Sequence, residues 1–241
     1  MIKLIRLELK RNRIKKYIVA SIIISIVMFA FIYALAFLSY IGVDNFDSDL
    51  KIFTGYDSII SWISVLSMVA FTTLSAVMYT RFVIDEYKQE RKILLLSYPQ
   101  KRNIIFLSKL TVVFLFTTIT MIICNLFVFL LFSVSENVFH LVDNTLAIEI
   151  VQRAIKVTIL TSLTAGGFGI VAMGIGFIKN SVPMTIISGI LIPALFSNIV
   201  LVSANNVVGN DMFFIVLMVF SLILGVVIST RLMKKINIME V

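Results

Sequence analysis

Six long stretches of this chain carry no charge: 17–43, 58–80, 110–135, 157–178, 180–210 and 212–230. A helix needs about 20 mostly apolar residues to cross the hydrocarbon of a bilayer. Inside hydrocarbon the backbone must satisfy its own hydrogen bonds, which leaves helices and closed barrels as the spanning structures. A barrel strand alternates apolar and polar positions over about ten residues. Runs such as Ile22–Ile26 and Phe127–Phe132 do not alternate. The pattern therefore predicts an all-α integral membrane protein with six transmembrane helices. The spans fall at about 17–41, 59–82, 106–132, 157–178, 182–202 and 212–231 in a single transmembrane domain, 1–241. A cleaved signal peptide does not fit, because the first run is too long for one and no small-x-small cleavage site follows it.

The segments between the runs differ in character. Residues 1–16 place Ile2, Ile5 and Leu9 against Arg6, Lys10 and Arg13, which predicts an amphipathic helix on the inner leaflet. Residues 42–57 hold Asp44, Asp47, Asp49 and Asp57 and read as an outer loop. In 136–156, Ile148, Val151 and Ile155 share one helical face and Glu149 and Arg153 sit four apart on another. That spacing predicts a short helix resting on the outer surface. Lys179–Val182 reads as a tight inner turn, with Pro183 early in the next helix. Pro193 is expected to end the fifth helix or break it into a span and a re-entrant piece.

Composition agrees with a membrane chain. Hydrophobic residues make up 60% of it and charged residues 14%, against roughly 45–50% and 25% in soluble domains. Mean hydropathy is +1.06. One cysteine excludes a disulfide framework and one histidine excludes a histidine cluster. The net charge of +8 has a topological cause. With the N-terminus inside, only Lys51, Arg153 and Lys156 of the 21 basic residues fall on the outer side. That bias sets both termini in the cytosol and accounts for the charge without nucleic acid. Anionic lipid headgroups are the expected partner of the inner cations.

Little catalytic chemistry is available. The glycines five apart, Gly169 and Gly174, are followed by Ile175 rather than Lys and Ser or Thr, so no P-loop is present. No acidic pair, Lys or Arg falls inside the charge-free runs, which argues against an ion-coupled carrier. Asp44, Asp47 and Asp49 lack the glutamate of a calcium loop, and His140 has no triad partners. No catalytic residue and no metal site are expected, and Cys124 reads as a packing residue. The second run carries Ser58, Ser61, Ser64, Ser67, Thr72, Thr73 and Ser75. Such hydroxyls either satisfy their own helix or tinge a translocation face. As a candidate substrate path we single out Ser61, Ser64, Ser67, Thr72 and Ser75, with Asn125 and Asn198. In the fourth run Thr161, Ala165 and Gly169 repeat at spacing four, a small-residue face suited to close helix packing.

The inner segment 83–103 is the most distinctive soluble stretch. Its first half is charged; Ile93–Leu96 is apolar; Pro99 stops it before Lys101 and Arg102. Glu86, Tyr87, Leu94, Leu95, Pro99 and Arg102, followed by Lys109 and Leu110, resemble the Glu-Tyr, Leu-Leu, Pro-x-x-Arg, Lys-Leu order of the ABC-2 type permeases. These are transmembrane subunits of bacterial ABC transporters. Glu90 and Arg91 stand where a Gly-Thr pair is often found in that family. The resemblance implies a type V exporter-like architecture and a half-transporter. A second permease chain, identical or paralogous, would pair with it, and two copies of an ATP-binding subunit would bind ATP and magnesium. Residues 83–103 would be the coupling loop to those subunits. Small six-span members include peptide exporters, lantibiotic-immunity permeases and phenol-soluble-modulin exporters, so an amphipathic peptide, lipid-like or drug-like cargo is implied, as is antimicrobial peptide resistance. A non-pumping membrane sensor or resistance protein that binds peptide or lipid is the alternative.

Overall fold

A computed structural model describes residues 14–42, 56–85, 102–139, 148–179, 181–205 and 211–238. They form six helices: α1 Lys15–Gly42, α2 Tyr56–Tyr79, α3 Arg102–Phe139, α4 Ile148–Lys179, α5 Val182–Asn205 and α6 Asp211–Ile238. A π-helical turn, Thr80–Ile84, prolongs α2. Five of the six helices are long and apolar enough to cross a membrane, and α5 contributes a shorter apolar stretch, Val182–Asn198. The all-helical fold expected from the charge-free runs is thus present, and no strand occurs among the described residues. The amphipathic segment 1–16 lies outside the described residues, apart from its last three positions.

Burial ranks the helices. Of the apolar window in α4, 78% is buried, and of that in α2, 72%, against 22% for α1 and 28% for α6. α4 and α2 are therefore the centre of the bundle. α3 and α5 flank both of them, α6 packs chiefly on α4, and α1 leans on α2 and α3. The outward faces carry residues such as Ile22, Ile26, Ile123, Leu195 and Val226, all exposed. Apolar side chains facing outward are stable where the solvent is lipid.

α4 reaches the centre because its small residues let neighbours approach. A Cβ on Gly167 would stand 2.9 Å from the backbone carbon of Ser221 in α6. Cβ atoms do not come that close, so α6 can sit here only against glycine. The face expected from the sequence, Thr161, Ala165 and Gly169, is a different one: at Gly169 a Cβ would meet the Ser75 side chain of α2. Two apolar clusters fill the interior. One, including Met68, Phe71, Phe132 and Phe168, occupies the middle and outer part. The other, including Tyr79, Phe82, Phe106 and Phe177, fills the inner end.

Three expectations change. α4 is continuous from Ile148 to Lys179, so Ile148, Val151 and Ile155 belong to its first turns and not to a separate surface helix. Arg153 bonds Asp57 across to α2, Nη1 to Oδ1 at 2.7 Å, a partner outside its own helix. Asp57 thereby leaves the predicted outer loop and becomes the first turn of α2. Pro193 does not end α5, which runs on to Asn205. Proline is tolerated in a membrane helix where neighbours and local adjustment satisfy the freed carbonyl. The inner turn between α4 and α5 is as tight as expected. The Ser181 N–H donates to Gly176 O at 3.1 Å, and Thr185 N–H donates to Ser181 O at 3.4 Å.

Candidate functional site

The hydroxyls of α2 line its inward face. Ser61, Ser64, Ser67, Thr72 and Ser75 are all buried. Most satisfy their own helix: Ser61 donates to Asp57 O at 2.6 Å, Ser64 to Ile60 O at 2.7 Å and Thr72 to Met68 O at 2.6 Å. Such bonds remove the desolvation penalty of a hydroxyl in an apolar interior. Ser75 differs, since its Oγ has no hydrogen-bond partner and lies where a Cβ on Gly169 would have to go.

Asn125 of α3 joins this seam. It is 1% exposed, and its Nδ2 donates to Ser67 Oγ at 2.9 Å. The Ser67 hydroxyl itself donates to Ser64 O at 3.0 Å. A hydroxyl has one proton to give, so Ser67 must accept from Asn125, which fixes the amide orientation. Asn125 Oδ1 is then left without a partner. The structure thus brings Asn125 to Ser67 and the α2 seam, at the bundle interior. It leaves Asn198 apart, exposed on α5. The phase of α5 is set by its packing on α2, where a Cβ on Gly189 would stand 2.7 Å from Ala76 Cβ.

The inner end holds a second polar group that sequence reasoning placed on the loop side. Lys109 is fully buried in α3, and its Nζ donates to Phe82 O at 3.1 Å. Phe82 belongs to the π-helical turn, where the Asp85 N–H donates to Thr80 O, five residues back, at 2.8 Å. One residue pair away, Tyr79 Oη donates to Leu110 O at 3.1 Å. π-helical turns are rare and often sit at functional sites. The signal available in the sequence was the Lys109-Leu110 pair, which stood in the family-like pattern without a structural role. Of the expected coupling residues, Arg102 starts α3. Glu86, Tyr87, Leu94, Leu95 and Pro99 lie outside the described residues, as does all of 86–101.

The outer end is closed by charge. Arg153–Asp57 ties the start of α4 to the start of α2, and Glu136 is buried at the outer end of α3. Among the described residues, no group of three or more His, Cys, Asp or Glu is placed to hold a metal ion.

Comparison with known proteins agrees with this architecture. The chain is similar to YcbO of Bacillus subtilis (strain 168), an uncharacterized protein, with 26% identity over 196 residues that cover 81% of this chain and 83% of the relative. Residues 4–193 match the ABC-2 family transporter proteins. The chain therefore belongs to the ABC-2 transporter family: it is a multi-pass membrane permease of an ABC transporter, of the kind that bacteria hold in the cell membrane.

Proposed function

We propose that this permease works in export, moving an amphipathic peptide, lipid-like or drug-like substrate out of the cell. Two copies of a separate ATP-binding subunit would supply the energy and hold ATP and magnesium. A second permease chain, a copy or a paralogue, would complete the membrane half. The family match over most of the chain carries the permease reading. The cargo class rests on the bundle's surface. A wholly apolar groove of about 270 Å³ opens between α1 and α2, lined by Ile23, Val27, Met28, Phe31 and Leu66. Such a groove suits an acyl chain or the apolar face of a peptide entering sideways from the bilayer. A role in resistance to antimicrobial peptides follows from the same cargo class.

The test is reconstitution. The chain is expected to copurify with a P-loop ATPase when it is isolated from its own cells. The chain alone should hydrolyse no ATP, since it lacks a phosphate-binding loop. The complex in liposomes should hydrolyse ATP at a rate that added amphipathic peptide changes. ATP turnover by the chain alone, or a chain that binds no ATPase, would refute the proposal. Uptake of the peptide into the cell by the intact complex would reverse its direction.

A further inference from the structure

The inner ends of α2 and α3 are joined by two reciprocal hydrogen bonds. In one, an α2 side chain reaches the α3 backbone, Tyr79 Oη to Leu110 O. In the other, an α3 side chain reaches the α2 backbone, Lys109 Nζ to Phe82 O. All four residues are buried, Tyr79, Phe82 and Lys109 completely. A lysine near the end of a membrane helix normally snorkels its amine to the headgroups. Lys109 instead turns inward, among Phe82, Phe106 and Leu110 of the inner apolar cluster. Taking an amine away from water is costly unless a specific partner receives it. One partner that receives it is the Phe82 carbonyl, in the last described turn that prolongs α2. That carbonyl also lies in the one stretch of α2 wound as a π helix.

We propose that Lys109 and Tyr79 are positioning residues that clamp the inner ends of α2 and α3 into one rigid base for the segment between them, 86–101. The clamp stiffens the π-helical turn, which would otherwise be the soft joint of α2. A displacement applied to that segment then turns α2 and α3 together instead of being absorbed by the turn. Packed side chains and rigid helices are what carries energetic coupling between distant sites. The source of the displacement, an ATP-binding subunit, rests on the function proposed above; the clamp itself does not.

The first measurement uses the full-length chain in lipid nanodiscs and hydrogen exchange of its backbone amides. Lys109→Met keeps an unbranched apolar stem and removes the donor. Tyr79→Phe removes only a hydroxyl. In Lys109→Met the amides from Thr80 to Asp85 should exchange about tenfold faster, the size expected for a lost buried hydrogen bond of this kind. Tyr79→Phe should give a smaller increase at the same amides, Lys109→Arg should restore most of the protection, and α6 should not change. Unchanged exchange at 80–85 in both variants would overturn the clamp. Faster exchange throughout the bundle would overturn it as well, since that outcome belongs to general packing.

A second measurement reads transmission. A single cysteine is placed at Ile148, an exposed position at the outer start of α4, in a Cys124→Ser background. In the complex with its ATP-binding subunit, ATP plus vanadate should change its labelling rate. Lys109→Met should abolish that change while the subunit stays bound, and Lys109→Arg should retain it. A change that persists in Lys109→Met would overturn the transmitting role. If no ATP-binding subunit copurifies with the unaltered chain, the function proposed above fails and hydrogen exchange alone decides the clamp.

Discussion

Replacing Glu86 and Tyr87 together by alanine is expected to lower export and substrate-stimulated ATP turnover at least about tenfold, with the six helices still inserted. Both residues stand two and three positions after Ile84, the last residue of the π-helical turn. Segment 86–101 is the longest stretch between described helices on the side that the basic residues mark as cytosolic. The other inner connection, between Lys179 and Val182, is too short to protrude. On the function proposed above, the ATP-binding partner grips 86–101 and so moves α2 and α3. Losing a hydrogen bond to a charged group at such a contact removes about 1.5–3 kcal/mol. A merely solvated loop would respond within about 0.5 kcal/mol. Export, bound ATP-binding subunit and membrane abundance should be measured in one strain. Normal export at normal abundance would take the loop out of the mechanism.

Asn125→Asp is expected to deplete the chain from the membrane. Asn125 lies far inside α3 and is almost wholly buried, with Ser67 as its acceptor. A carboxylate cannot donate to Ser67, and the Ser67 proton is already committed to Ser64. A charge at the centre of a membrane helix is disfavoured by about 2.5–3.5 kcal/mol on insertion scales. Asn125→Leu is the control. It removes the donor together with the unpartnered Oδ1, leaves Ser67 bonded to Ser64, and should cost about 1 kcal/mol or less. The control also separates the two meanings of the polar seam. If the seam lies on the substrate path, the leucine variant reaches normal abundance and exports poorly. If the seam only joins α2 to α3, export is unchanged. Full abundance of the aspartate variant would contradict the burial of Asn125.

Six helices were legible because each is built on a stretch free of charge, and burying a charge in lipid is the strongest single penalty available to the chain. The same rule concealed what happens at their ends. Glu149, Arg153 and Lys156 interrupt hydropathy, yet α4 continues through them because Arg153 finds Asp57 on a neighbouring helix. Lys109 read as the edge of a loop, since its acceptor is a backbone carbonyl, and backbone carbonyls leave no trace in a sequence. The inward face of α2 was visible in the spacing of its serines. Which of them would meet Asn125 depended on the depth at which α3 crosses α2. Asn198 was grouped with them by residue type alone, and the rotation of α5 about Gly189 and Ala76 turns it outward.

The contrast between the packed centre and the exposed rim governs how such a sequence can diverge. Along the outward side of α6 a substitution has only to stay apolar, because lipid tails conform to any shape. Isoleucine, valine, leucine and phenylalanine are interchangeable there, and drift accumulates without consequence. In α4 the requirement is volume. At Gly167 even one methyl group meets the backbone of α6, so that helix can exchange residues only together with its neighbours. A variant's hydropathy will therefore say little about whether it is tolerated at the centre of the bundle.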